Sequence, residues 1–266
     1  LSMPIQLAPD RVEVFVECAR ASQRARIGRL AEAEAAFQVG QAAFETEGFR
    51  GFPGAIPQTF GNGAVLAWLR GASSDARRRI AHVQALADPE NHYEWTFALN
   101  MIAMQAVLEG RFEAARTSAD EAVTLADRHG FPQFSATARI MLGRAIAALE
   151  TPETGLTLIR EGLGAMHGTA SRAGLTMYNV WLAEACLLAY DLEAAFVASR
   201  AALEANPLEA FFRPECLRMR GELWHEVGNS AAAERDLRAA LMTARTIGSV
   251  TLHRRAQTAM RRIKST

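Results

Sequence analysis

Residues 110–126 read GRFEAARTSADEAVTLA, and the small side chains in that stretch decide the fold. Ala114, Ala115, Ser118, Ala119, Ala122, Val123 and Ala126 recur at alternating intervals of one and three, which traces a single face of an α-helix. Arg116, Asp120, Glu121 and Arg128 fall largely off that face. Just upstream, Trp95 to Leu108 carries a broader apolar face with Phe97, Leu99, Met101, Ile102 and Met104. Gly110 stands between the two segments, where a glycine can take the left-handed conformation that closes a helix. Two antiparallel helices joined by a short turn are expected.

The pattern repeats along the chain. Ala64, Ala103, Gly143, Ala183 and Gly221 are separated by 39, 40, 40 and 38 residues. Twelve positions after each stand Ala76, Ala115, Gly155, Ala195 and Ala233, and seven further on stand Val83, Ala122, Gly162, Ala202 and Ala240. A period of this size signals stacked helix pairs, because small residues at the crossing points let helix axes approach closely. Ala21, Gly28, Ala33, Phe37 and Gly40 give the pattern once more, 43 residues before the next unit. The expected fold is all-α, a right-handed α-solenoid of about six antiparallel helix pairs with a C-terminal capping helix. Its boundaries are an N-terminal pair over 9–47, a loop over 48–58, five pairs over 59–248 and the cap over 249–264. Thr151, Asp191 and Asn229 are read as N-caps, and Glu150 and Tyr190 occupy turn slots where glycine stands elsewhere.

Bulk composition narrows the function classes. The 266 residues hold 29 acidic and 29 basic side chains, so net charge gives no general argument for nucleic acid or membrane. Only Lys264 is a lysine, which reads as the codon bias of a GC-rich genome. Cys18, Cys186 and Cys216 are scattered and outside any CxxC spacing, as expected of small buried side chains in a reducing cytoplasm. No stretch is long and apolar enough to span a bilayer, and Leu1-Ser2-Met3 lacks the features of a signal peptide. Beginning on Leu, the chain reads as a fragment of a longer protein. The terminal run Arg254, Arg255, Arg261, Arg262 and Lys264 is read as the solvated face of the cap in preference to a site for anionic partners.

Catalytic signatures are missing. A GxxxxGK(S/T) phosphate loop cannot form around a lysine three residues from the end, and no GxGxxG, GxSxG or HExxH occurs. The six histidines never come closer than ten residues to one another. No catalytic, cofactor or metal residues are therefore expected, and the chain is read as non-catalytic. Function is expected on the inner wall of the superhelix, at Trp68, Asn100, Met104, Arg144, Glu184, Arg218, Glu222 and His225, with Val65, Val107, Ile140, Val180 and Leu187 among them. An extended peptide could place apolar side chains near Trp68 and Met104 and meet charges near Arg144, Glu184 and Arg218. The competing reading is that Arg218 and Glu222 pair with each other, and that Arg144 and Glu184 bridge neighbouring repeats.

Gly221, Trp224, Gly228, Ala233, Leu237 and Ala240 resemble the tetratricopeptide pattern, with a unit longer than the familiar 34 residues. Six segments, 74–78, 95–100, 129–132, 160–163, 182–185 and 220–223, are together similar to the C-terminal helical-repeat region of bacterial signalling ATPases. In that family the region follows an ATPase domain, often fused to a class III adenylate/guanylate cyclase or a winged helix. The resemblance implies a cytoplasmic, non-catalytic regulatory or scaffolding module with a protein or peptide partner, no nucleic-acid contact of its own and no membrane. The alternatives are a small-molecule effector sensor, marked by a closed pocket near Trp68, Met104 and Arg144, and a self-association module.

Overall fold

The computed structural model describes residues 9–47, 53–168 and 171–265; the side chains of 9–15, 43 and 45–47 are left aside. The described residues form helices α1 (Pro9–Arg26), α2 (Leu30–Glu47), α3 (Asn62–Leu69), α4 (Ser73–Leu86), α5 (His92–Leu108), α6 (Phe112–His129) and α7 (Pro132–Leu149). They continue with α8 (Pro152–His167), α9 (Leu175–Leu188), α10 (Leu192–Glu204), α11 (Arg213–Glu226), α12 (Ser230–Ile247) and α13 (Val250–Ser265). Each odd helix through α11 packs against the even helix that follows, giving six hairpins, and α13 packs on α12 and α11.

All fifteen members of the three small-residue series are buried. The hairpin α7/α8 shows why they are small. A Cβ on Gly143 would lie 2.5 Å from the Gly155 carbonyl oxygen, and one on Gly162 would lie 2.6 Å from that of Ala136. The two helix backbones are therefore in direct contact, a spacing that no side chain could share.

The turns inside the hairpins repeat as regularly. Gly28, Gly71, Gly110 and Gly228 have φ between 73° and 84°, and Tyr190 takes the same left-handed conformation at φ 57°. Glu150 turns differently, at φ −129° and ψ −103°. Asp191 and Asn229 do cap their helices, accepting from Ala194 N at 3.0 Å and Ala232 N at 3.1 Å. Thr151 does not cap: its hydroxyl donates to that of Thr154, and Pro152 opens α8. Pro214 lies in the first turn of α11, where a proline costs no hydrogen bond.

Part of the expected 48–58 loop is helical. Helix begins at Ala55 and passes through a π-helical turn, Pro57–Gly61, into α3; residues 48–52 lie outside the described residues. Phe60 is buried at the edges of the Phe37 and Phe44 rings, 6.3 and 5.2 Å away. A Cβ on Gly61 would meet Met101, and one on Gly63 would meet the Phe37 ring. These two glycines serve close packing.

The solenoid closes on itself. Phe211 N donates to Arg26 O at 3.1 Å, and Arg26 pairs with buried Glu209 at 3.1 Å, joining α1 to the α10–α11 connection. Ser249 Oγ donates to Leu69 O at 2.8 Å, and Thr251 Oγ1 donates to Trp68 O, joining α13 to α3. Val250 fills the space left by the missing Cβ of Gly71. In an open stack each unit touches only its neighbours; here contacts link residues some 180 positions apart.

Candidate functional site

Closure turns the inner wall into two chambers. The first, about 200 Å³, is lined by α1, α3, α5, α7 and α9, with Met101, Met104 and Met177 beside Phe97, Phe134, Tyr178 and Phe211. Its polar groups are mostly neutral: Ser22, Gln58, Asn62, Asn100, Gln133 and Thr137. Asn100 Nδ2 donates to Thr96 O at 3.0 Å, and its side-chain oxygen accepts from Thr137 Oγ1 at 2.6 Å. Arg26 is the single charged lining residue among the described residues, and Glu209 neutralises it while also accepting from Gly174 N at 2.7 Å. Burial pushes the Tyr178 hydroxyl up to about 12, so it remains a proton donor at neutral pH.

The second chamber, about 600 Å³, is more open and polar, and lies among α3, α4, α5, α6, α7, α9, α11 and α13. Leu69, Met104, Tyr178 and Phe211 face the first chamber, while Trp68, Val107, Trp181 and Phe212 face the second. A layer of bulky side chains thus divides the interior. Within it the Tyr178 and Trp181 rings are 5.6 Å apart, as are those of Phe211 and Phe212.

This geometry distributes the sequence-expected residues unevenly. Asn100 and Met104 line the first chamber; Trp68, Arg144 and Glu184 line the second. Arg218 and Glu222 line an adjoining groove of about 320 Å³ between α11 and α13. His225 is half-buried near the end of α11 and lines neither chamber. Ile140 and Val180 are fully buried core residues, with Ile140 turned toward Gly162 of α8. Among the described residues, the expected wall is thus divided between separate spaces by the layer of bulky side chains.

The charged residues of the wall form one network. Arg144 Nε donates to Glu184 at 3.0 Å, its guanidinium stacked over the Phe112 ring at 4.7 Å. Arg218 contacts Glu184 at 3.1 Å, Glu215 at 2.7 Å and Glu222. Arg255 and Arg262 reach in from α13 to Glu215 at 2.7 Å and Glu222 at 2.9 Å. The expectation of a purely solvated basic cap is thus corrected, since two of its arginines hold α13 to the inner wall. Burial alone would raise the Glu184 carboxyl, but Arg144, Arg218 and Arg255 outweigh it and hold the group below its usual range.

Residues of α1 and the Glu209–Phe211 segment were not legible as site residues. They reach the chamber only through closure, which leaves no periodic mark on the sequence. Phe97 and Phe134, stacked at 5.1 Å, did stand on apolar helical faces and could have been found. Among the described residues, no cluster of three or more His, Cys, Asp or Glu is placed to hold a metal. No described helix is long and apolar enough to cross a membrane.

Three solved structures share this architecture. The apo form of RapI aligns over 96% of this chain and 100% of its own, with TM-score 0.53 and 10% identity. A Rap protein complexed with competence and sporulation factor gives TM-score 0.55 at 11% identity, covering 95% and 88%. BtubC from P. vanneervenii gives 0.51 at 16%, covering 91% and 93%. The fold is a tetratricopeptide-like α-solenoid. No protein-family description and no curated protein sequence matches the chain.

Proposed function

We propose that this chain is a non-catalytic regulatory binding module, part of a larger bacterial signalling protein, which recognises a peptide segment of a partner at the first chamber. The observation that supports this most is the chamber's lining. Three methionines adapt to an incoming apolar side chain, and fixed amide and hydroxyl groups around them suit a neutral peptide backbone. A Rap protein of similar fold has been solved in complex with competence and sporulation factor, which agrees with a ligand-binding role. The resemblance of segments 74–78 to 220–223 supports the signalling context, with the ligand controlling an attached ATPase, cyclase or winged helix.

The test is selection of short peptides from a displayed library on the immobilised protein. Selected peptides should carry a large apolar side chain and lose at least about tenfold in affinity for Met104→Trp, which fills the chamber. Thr137→Trp, at the rim, gives a second blocked form if Met104→Trp folds poorly. Peptides that bind the wild type and both filled variants equally, or the absence of any selected peptide, would refute the reading.

The enclosure of the chamber by ring closure favours a second reading, a small-molecule effector sensor. It predicts a neutral metabolite that raises the melting temperature in a saturable way, and that loses this effect in Met104→Trp.

A further inference from the structure

We infer that the second chamber and the α11/α13 groove that continues from it bind a small, multiply charged anion of the phosphate-ester or polycarboxylate class. The two spaces share Arg255 and are lined by seven arginines, Arg77, Arg111, Arg144, Arg218, Arg254, Arg255 and Arg262. Among the described residues, four glutamates, Glu109, Glu184, Glu215 and Glu222, stand among them, and no aspartate does. Three positive charges are left over in a chain whose acids and bases balance overall.

The glutamates organise this charge rather than cancel it. Glu184 is shared by Arg144, Arg218 and Arg255 at 3.0, 3.1 and 3.7 Å. Glu215 is shared by Arg218 and Arg255, both at 2.7 Å, and Glu222 by Arg218 and Arg262. Each of these three carboxylates therefore orients more than one guanidinium, while Glu109 holds Arg111 alone at 2.7 Å; a planar guanidinium so oriented still presents N–H groups that match phosphate or carboxylate oxygens. Arg77 and Arg254 are exposed and take no part in any ion pair among the described residues. They are free to close on a ligand from α4 and α13. Helices α4 and α6 also begin at this chamber, at Ser73 and Phe112, with no side-chain cap on their first amides. Their dipoles add to the same preference for negative charge.

An anion held between Arg77 or Arg144 and Arg255 would also tie α13 to α4 and α7, so binding would reinforce the closed ring. This site is separated from the first chamber by the dividing layer, and its test is independent of the peptide reading.

Sodium pyrophosphate and sodium citrate are the probes, titrated at low ionic strength against sodium chloride at matched ionic strength. A saturable rise in melting temperature is expected, about 5 °C at one hundred times Kd for a chain of this length. Saturation by pyrophosphate alone assigns the phosphate-ester class, and by citrate alone the polycarboxylate class. Arg77→Gln and Arg254→Gln, which break no ion pair, should each weaken binding about fivefold or more without changing the ligand-free melting temperature. Arg261→Gln, a basic residue of the same helix outside the groove, should bind as the wild type does. The proposal fails if neither probe exceeds the chloride reference, or if both Arg77→Gln and Arg254→Gln keep wild-type affinity.

Discussion

Replacing Gly143 by alanine tests the reasoning behind the fold more sharply than a bulky substitution would. In an ordinary exposed helix interior this change stabilises by about 1 kcal/mol, because glycine gives up more backbone freedom on folding. Gly143 is placed so that the sign reverses. Its new Cβ would lie 2.5 Å from Gly155 O and 2.9 Å from both Ile159 N and Ile159 Cγ1. Ordinary contact begins near 3.4 Å, so the helices must part by about 0.9 Å along their closest approach. Two of the three obstructing atoms are backbone and cannot rotate away. Overpacking of this kind costs about 3 kcal/mol, the upper part of its usual range, and the propensity gain recovers only about 1 kcal/mol. A net loss of about 2 kcal/mol lowers the melting temperature by about 4 °C in a chain of this size. Gly164, on the exposed face of α8, supplies the internal reference, since a Cβ there meets nothing within 4 Å. Gly164→Ala should raise the melting temperature by about 2 °C. Differential scanning calorimetry of both variants decides the matter. If Gly143→Ala is stabilised as Gly164→Ala is, the backbone contact between α7 and α8 is not real.

Tyr190 holds a left-handed conformation at φ 57° with its side chain 90% exposed, so Tyr190→Gly removes strain without removing packing and should stabilise by about 1 kcal/mol, read as a rise of about 2 °C. A fall would show that the turn is not left-handed. Acid should weaken the fold through Glu34 as well as Glu184: burial would raise the Glu34 carboxyl, but Arg79, in contact at 2.6 Å, and Arg70 reverse this and hold it low. A folded-state pKa below the unfolded value contributes stability that is complete above about pH 4.3 and is lost as pH falls through the folded value. Melting temperature should therefore be flat near neutrality and drop below that point, more steeply in the wild type than in Glu34→Gln, which is already destabilised at neutral pH; identical slopes would contradict the assignment.

The repeat was legible because helix-on-helix packing is local and periodic. Each crossing recurs at about the same offset, so the requirement for a small residue leaves a regular trace from Ala64 to Ala240. Turn chemistry was legible for the same reason, and Tyr190, in a glycine slot, was visible as an exception. The role of Gly61 and Gly63 was not legible, because glycine signals a flexible turn and a close approach equally well, and only the positions of Met101 and Phe37 distinguish the two. Ile140 was assigned to the wall by counting from Gly143, yet a position three residues away on a helix can face the partner helix, as Ile140 does.

Closure of the ring was beyond the sequence, and it alters what the inner wall can do. The contacts that produce it, Arg26 with Glu209, Ser249 with Leu69 and Val250 against Gly71, each occur once. A contact made once has no period to detect. An open wall built from Trp68, Met104, Arg144 and Arg218 would offer one long surface running from apolar to charged. The closed ring instead sets Trp68, Tyr178, Trp181 and the adjoining phenylalanines across the axis, so apolar and charged residues face separate spaces. A ligand therefore meets either a neutral, methionine-rich chamber or an arginine-rich one. The distinction follows from where the two ends of the chain touch, and opening that contact would merge the two surfaces again.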